Sequence, residues 1–154
     1  MRHLATLIVA ALAVGSFAAD KVPKQWVKTY KYIAKVVQHK DVDAFMATCD
    51  KSFINLQNGQ KANYDQYAKG FKQFIAPFSD IKIQLTPTAY REDGQNVLID
   101  FEYRFEGIQK DKDGNPKKLA FFQVGTDTWH KVGKKYLTVQ EEIKKQGLLP
   151  AKTA

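Results

Sequence analysis

The sequence predicts an α+β protein in which three N-terminal helices pack on a strongly curved antiparallel sheet. Three observations carry this. Apolar residues recur at helical spacing in the first half of the chain and alternate in the second. The segregation of helices from strands excludes an alternating α/β layout. The longest predicted strand, residues 118–131, is about 14 residues, against a usual five or six, so a single sheet must coil. A sheet coiled around helices makes a cone with an open mouth.

Residues 1–19 read as a secretory signal peptide. Arg2 and His3 precede an apolar run from Leu4 to Gly15, and the small residues Ser16, Ala18 and Ala19 suit cleavage after Ala18 or Ala19. The run is short for a membrane span, which needs about 20 apolar residues. The sequence therefore predicts an exported protein, periplasmic or secreted, that meets the membrane only through its signal. The remaining chain, about 136 residues, suits one domain over residues 20–143, with 144–154 as a flexible tail.

The first helix is expected over residues 22–38. Trp26, Tyr30, Ile33 and Val37 share one face, and Lys24, Lys28, Lys31 and Lys35 the opposite one. Pro23 suits its start. Asp41 caps a shorter second helix reaching to about Asp50, with Ala44, Phe45 and Cys49 inward. Asn58-Gly59 then predicts a type I′ hairpin within residues 53–62. Asn63 with Gln66 makes a capping-box start for the third helix, whose Tyr64, Tyr67, Phe71, Phe74 and Phe78 form an aromatic stripe. A stripe at this spacing more often packs in a core than lines a ligand box. Pro77 ends the helix.

Four strands follow. Ile81, Ile83 and Leu85 alternate in the first of them. In the second, Val97, Ile99, Phe101, Tyr103 and Phe105 face one way, and Asp100, Glu102, Arg104 and Glu106 the other. In the third, Leu119, Phe121, Gln123, Gly125, Asp127 and Trp129 oppose Ala120, Phe122, Val124, Thr126, Thr128 and His130. In the last, Tyr136, Thr138 and Gln140 oppose Leu137, Val139 and Glu141. Gly107 and Gly125 are the candidate bends.

The chain carries a formal charge of +8, or +7 without Arg2. Its lysines cluster on a helix face and at hairpin ends, as solvated surfaces do. Export and the lack of a recognition module argue against a nucleic-acid partner. Cys49 is the sole cysteine, so no internal disulfide forms. No spacing of His, Cys or carboxylates suggests a metal site, and no phosphate loop suggests a nucleotide, so no cofactor is expected.

The order of elements resembles the NTF2-like, or SnoaL-like, cone-fold superfamily over residues 26–142. The residues that carry the resemblance are Asp127-x-Trp129 with Gly133 and Tyr136, the step Asp50-Lys-Ser-Phe53, and the Asn63 cap. The resemblance implies a cone with an apolar pocket, in a superfamily that holds isomerases, dehydratases and hydrolases beside domains that only bind. The isomerase branch needs two acids. Its donor acid would fall near Gly125 and its base near Asn55 or Leu56, and neither position holds a carboxylate.

The predicted pocket liners are Tyr30, Tyr67, Phe71, Tyr103, Phe105, Phe121, Gln123, Asp127 and Trp129. Asp127 is the best candidate for chemistry, as a pocket carboxyl with a raised pKa. Its other reading is a buried acid fixed by a hydrogen bond from a backbone amide, a helix cap or an indole. Unless a bulge near Gly125 switches parity, His130 points to the opposite face and forms no dyad with it. Two functions follow from these residues. One is binding of a small apolar ligand, or protein interaction, without catalysis. The other is a general acid–base enzyme acting on a small apolar substrate. The resemblance also implies a homodimer through the outer sheet face, covering Leu98, Phe122 and Val124.

Overall fold

The computed structural model describes residues 21–150. The expected signal peptide and its cleavage site lie outside the described residues. The elements run α1 (Lys24–Gln38), α2 (Val42–Met46), β1 (Cys49–Gln57), β2 (Gln60–Asn63), α3 (Tyr64–Ile75), β3 (Ser79–Asp93), β4 (Asn96–Lys110), β5 (Pro116–Val132) and β6 (Lys135–Leu148). One six-stranded sheet has the order β2-β1-β6-β5-β4-β3. Neighbours are antiparallel except β1 and β6, which run parallel. The α+β architecture of helices on a curved sheet is therefore as the sequence predicts.

α1 buries Trp26, Tyr30, Ile33 and Val37 against the sheet and leaves its four lysines exposed. Pro23 occupies the cap position rather than the first turn. α2 is shorter than expected. Asp41 caps it, accepting from the Ala44 amide at 3.0 Å, but the helix stops at Met46. The Thr48 carbonyl takes the Thr138 amide at 2.9 Å, and Cys49 pairs with Thr138. Sheet pairing thus claims the residues that would have formed the last helical turn, and Cys49 begins a strand.

The Asn58-Gly59 turn is as expected. Gln57 pairs with Gln60, and both turn residues have positive φ, 51° and 74°. The Asn63–Gln66 capping box is complete in both directions. α3 ends at Ile75, just before Pro77.

β4 and β5 pair from Asn96↔His130 to Lys110↔Pro116 without a register shift. Face alternation along both strands is therefore unbroken, and the expected inward sets hold. β6 departs from expectation in two ways. It extends to Leu148, past the predicted start of a tail at residue 144, because the first half of the 17-residue β5 needs a partner on this edge. It also carries two bulges. Trp129 pairs with Thr138 but Thr128 with Gln140, so Val139 is extra; Gly125 pairs with Ile143 but Val124 with Lys145, so Lys144 is extra.

Gly125 sits beside the second bulge. A Cβ there would lie 2.5 Å from the Glu142 carbonyl oxygen and 2.9 Å from the Phe101 ring, so the bend requires glycine. At Gly107 the sheet stays in register, and the missing side chain instead makes room for the rings of Phe78 and Phe105.

Candidate functional site

Between α1, α3 and the concave sheet face lies a cavity of about 620 Å³. Its walls are largely aromatic: Phe45, Phe53, Tyr67, Phe71, Phe74, Phe101, Tyr103 and Phe121. Tyr67 and Phe71 stack in parallel with centroids 6.0 Å apart, and Phe71 meets Phe45 at 5.3 Å. The volume falls within the 300–1,000 Å³ common for small-molecule sites.

Of the predicted liners, Tyr67, Phe71, Tyr103, Phe121, Gln123 and Asp127 line the cavity. Tyr30, Phe105 and Trp129 do not, being 0%, 0% and 1% exposed in the packed layer behind it. Tyr30 and Trp129 are packed where α1 meets the C-terminal end of β5, Trp129 lying against Trp26 at 5.1 Å, whereas Phe105 is packed between Phe78 and Phe121 at 4.9 and 5.1 Å. The α3 stripe divides in the same way. Phe78 is buried core, whereas Tyr67, Phe71 and Phe74 face the cavity.

Asp127 is 7% exposed, and its Oδ2 accepts from the Tyr30 hydroxyl at 2.5 Å. Trp129 Nε1 in turn donates to the Tyr30 oxygen at 3.4 Å. The acid is thus held by a phenol, with the indole one step behind. Directly opposite Asp127 in the β5–β6 pairing is Glu141. Plain alternation places Glu141 outward. The extra Val139 turns it inward, so a second carboxylate joins the cavity wall. Glu141 Oε2 accepts from Asn55 Nδ2 at 2.6 Å and from the Tyr67 hydroxyl at 3.0 Å.

The two acids shape each other. Burial and then the charge of Glu141 hold the Asp127 carboxyl well above its ordinary range, outweighing the Tyr30 bond. Burial raises Glu141 also, while the donors Tyr67 and Asn55 oppose the rise. With two donors on Glu141 and one on Asp127, the pair gives up its first proton more readily from Glu141. Burial and Glu141 together raise the phenols of Tyr67 and Tyr103, so both keep their protons. The Tyr103 hydroxyl is buried without a hydrogen-bond partner.

Cys49 is buried as expected, but at the cavity wall on β1, with its thiol pushed up to about 12, chiefly by burial. His130 faces away from Asp127 and pairs with Asn96 Oδ1 at 2.9 Å. Asn55, where the isomerase resemblance would seek a base, serves instead as a donor to Glu141. Among the described residues, no group of three or more His, Cys, Asp or Glu side chains is placed to hold a metal ion. On the outer sheet face, Leu98, Phe122 and Val124 are half-buried.

Sequence reasoning missed Glu141 because a bulge leaves no mark in composition. It missed Phe45 and Phe53 as cavity walls because both also read as ordinary core positions.

No family model matches the chain, and a search of curated proteins returns no match. Solved structures are similar. An NTF2-like superfamily protein from Salmonella enterica is 14% identical with a TM-score of 0.62, covering 85% of this chain and 92% of that one. A conserved protein from Planctomyces limnophilus is 7% identical with a TM-score of 0.68, covering 82% and 98%. A scytalone dehydratase-like protein from Novosphingobium aromaticivorans is 9% identical with a TM-score of 0.66, covering 85% and 90%. At such identities the similarity speaks for the fold alone. Helices on a coiled six-stranded sheet, a cavity within it, and these matches over most of each chain establish that the protein has the NTF2-like cone fold.

Proposed function

We propose that this is an exported binding protein that holds a small, largely apolar molecule inside its cone. The observation that carries the reading is the aromatic cavity of about 620 Å³ with its polar groups gathered on the β5–β6 wall. Aromatic walls supply affinity by burial, and a few fixed polar groups supply orientation.

The test is saturable, one-to-one binding of a neutral apolar fluorescent dye. Gly70 lies on the cavity wall from α3 with open space beside it. Gly70→Phe is expected to abolish dye binding while the far-ultraviolet circular dichroism stays unchanged. Dye binding that survives this substitution, or that never saturates, would count against the reading. Export has its own measurement. N-terminal sequencing of protein recovered from the producing cells is expected to start at Ala19 or Asp20, and an intact Met1 would refute it.

A second reading is favoured by the facing carboxyls. Asp127, held well above the ordinary carboxyl range, beside Glu141 with its two donors puts a candidate general acid and a candidate general base on one wall of the cavity. For an enzyme of this kind, Asp127→Asn and Glu141→Gln would each lower kcat by about a hundredfold or more. Retained turnover in both variants would exclude it.

A further inference from the structure

The exterior of this protein is basic, with a formal charge of +8 over the whole chain. The cavity is the reverse. Its charged lining residues are Asp127 and Glu141, with one lysine, Lys61, exposed at the β2 rim. Each carboxyl keeps one oxygen toward the cavity. Asp127 Oδ2 is taken by Tyr30, and Glu141 Oε2 by Asn55 and Tyr67, while Asp127 Oδ1 and Glu141 Oε1 have no hydrogen-bond partner among the described residues. The unpartnered Tyr103 hydroxyl lies on the same cavity and within reach of the Glu141 charge.

A primary ammonium offers three donors and no acceptor. The free groups here are a Glu141 oxygen, a phenol oxygen, and an Asp127 oxygen that accepts once that carboxyl has lost its proton. The walls next to them are aromatic faces, which attract cations. A neutral alcohol would bring no counter-charge to the pair, and a carboxylate ligand would add negative charge beside Glu141.

We propose that the cavity selects an organic cation, a primary amine carrying an apolar body, with the amine seated at the Asp127–Glu141 pair and the body against the Phe71, Phe74 and Phe121 wall. The inference rests on the cavity-binding reading and names the ligand class within it. Arrival of the ammonium charge stabilises the second carboxylate, so Asp127 gives up its proton to solvent as the amine binds. The groups that face the pair are Tyr30 on α1, Cys49 on β1, Tyr67 on α3 and Tyr103 on β4, with Lys61 at the mouth. The phenols and thiol are held neutral by burial, which leaves the Asp127 carboxyl as the group that yields the proton.

Three probes of one shape test it by calorimetry: 4-phenylbutylamine, 4-phenylbutanol and 4-phenylbutanoate. The amine is expected to bind at least about tenfold more tightly than the alcohol, with the carboxylate weakest. Its affinity should rise as pH climbs above the ordinary carboxyl range, with a proton released to buffer, as read by repeating the titration in buffers of different ionisation enthalpy. Glu141→Gln should weaken the amine at least about tenfold more than the alcohol, and an unchanged far-ultraviolet circular dichroism spectrum certifies the fold of the variant. Tyr103→Phe, which removes the unpartnered hydroxyl, should weaken the amine severalfold more than the alcohol. Equal or tighter binding of the alcohol or the carboxylate overturns the cation inference and leaves the cavity reading standing. Failure of all three probes to bind overturns both.

Discussion

Tyr30 reaches Asp127 from a helix 97 residues away in the chain, and that bond decides how the acid sits. Removing the phenol oxygen leaves a buried carboxyl without its donor. Tyr30→Phe is expected to cost about 1–3 kcal/mol, measured by urea denaturation, and a cost near zero would mean the bond is idle. The carboxyl pair makes a prediction about pH. Asp127 is raised by burial and by Glu141, and Glu141 by burial, from ordinary values of 3.8 and 4.5. A carboxyl raised in the folded state keeps a proton that the unfolded chain has released. Its stabilisation is complete below the unfolded pKa and is lost as pH rises through the folded one. The pair therefore lowers stability as pH climbs from about 4, by up to about 1.4 kcal/mol per pH unit per proton. Glu141→Gln relieves that loss, so the variant should gain on the wild type as pH rises above about 4. A difference that does not change with pH would contradict the assignment. Cys49 adds a third measurement. Buried, with its thiol pushed up to about 12, it should react with iodoacetamide at pH 8 far more slowly in the native protein than in urea.

At the scale of elements, β6 does most to make the site. Its extra Val139 sets Glu141 opposite Asp127, and its extra Lys144 falls where Gly125 bends the sheet. A methyl group at residue 125 would strike the Glu142 carbonyl, a backbone atom that cannot swing aside. Gly125→Ala should therefore destabilise by about 1–3 kcal/mol, a loss visible as a lower urea midpoint at unchanged slope. α3 was the more legible element. Its Asn63–Gln66 cap and its aromatic stripe are both plain in the sequence, and Asn63→Ala should cost about 1 kcal/mol. The division of that stripe between core and cavity was not legible. Tyr67 sits within the helix at the cavity wall, whereas Phe78 follows the helix end and packs on Phe74 and Phe105.

At the scale of the whole molecule, one sheet performs two tasks at its two ends. Near α1 it closes on Trp26, Tyr30 and Trp129, which form a tightly packed base. Toward α3 it opens, and rings that touch one another along the walls surround the cavity. The chain has no internal disulfide to hold this shape, so packing at the base must do so. Ligand in the open end adds to stability by mass action. A tight amine at a hundredfold excess over Kd should contribute about 2.7 kcal/mol, read as a rise in Tm.

The amino-acid sequence by itself determined the α+β order, the hairpin turn, the helix caps and the inward face of β4 and β5. These depend on short-range periodicity and on local backbone chemistry, and β4 and β5 pair without interruption. Tertiary structure alone decided where α2 stops, how far β6 runs, which aromatics line a space, and that Glu141 stands beside Asp127. Each of these depends on a pairing between distant segments, and a single bulged residue reverses the face of everything beyond it. That is why one acid of the pair was legible in the sequence and the other was not.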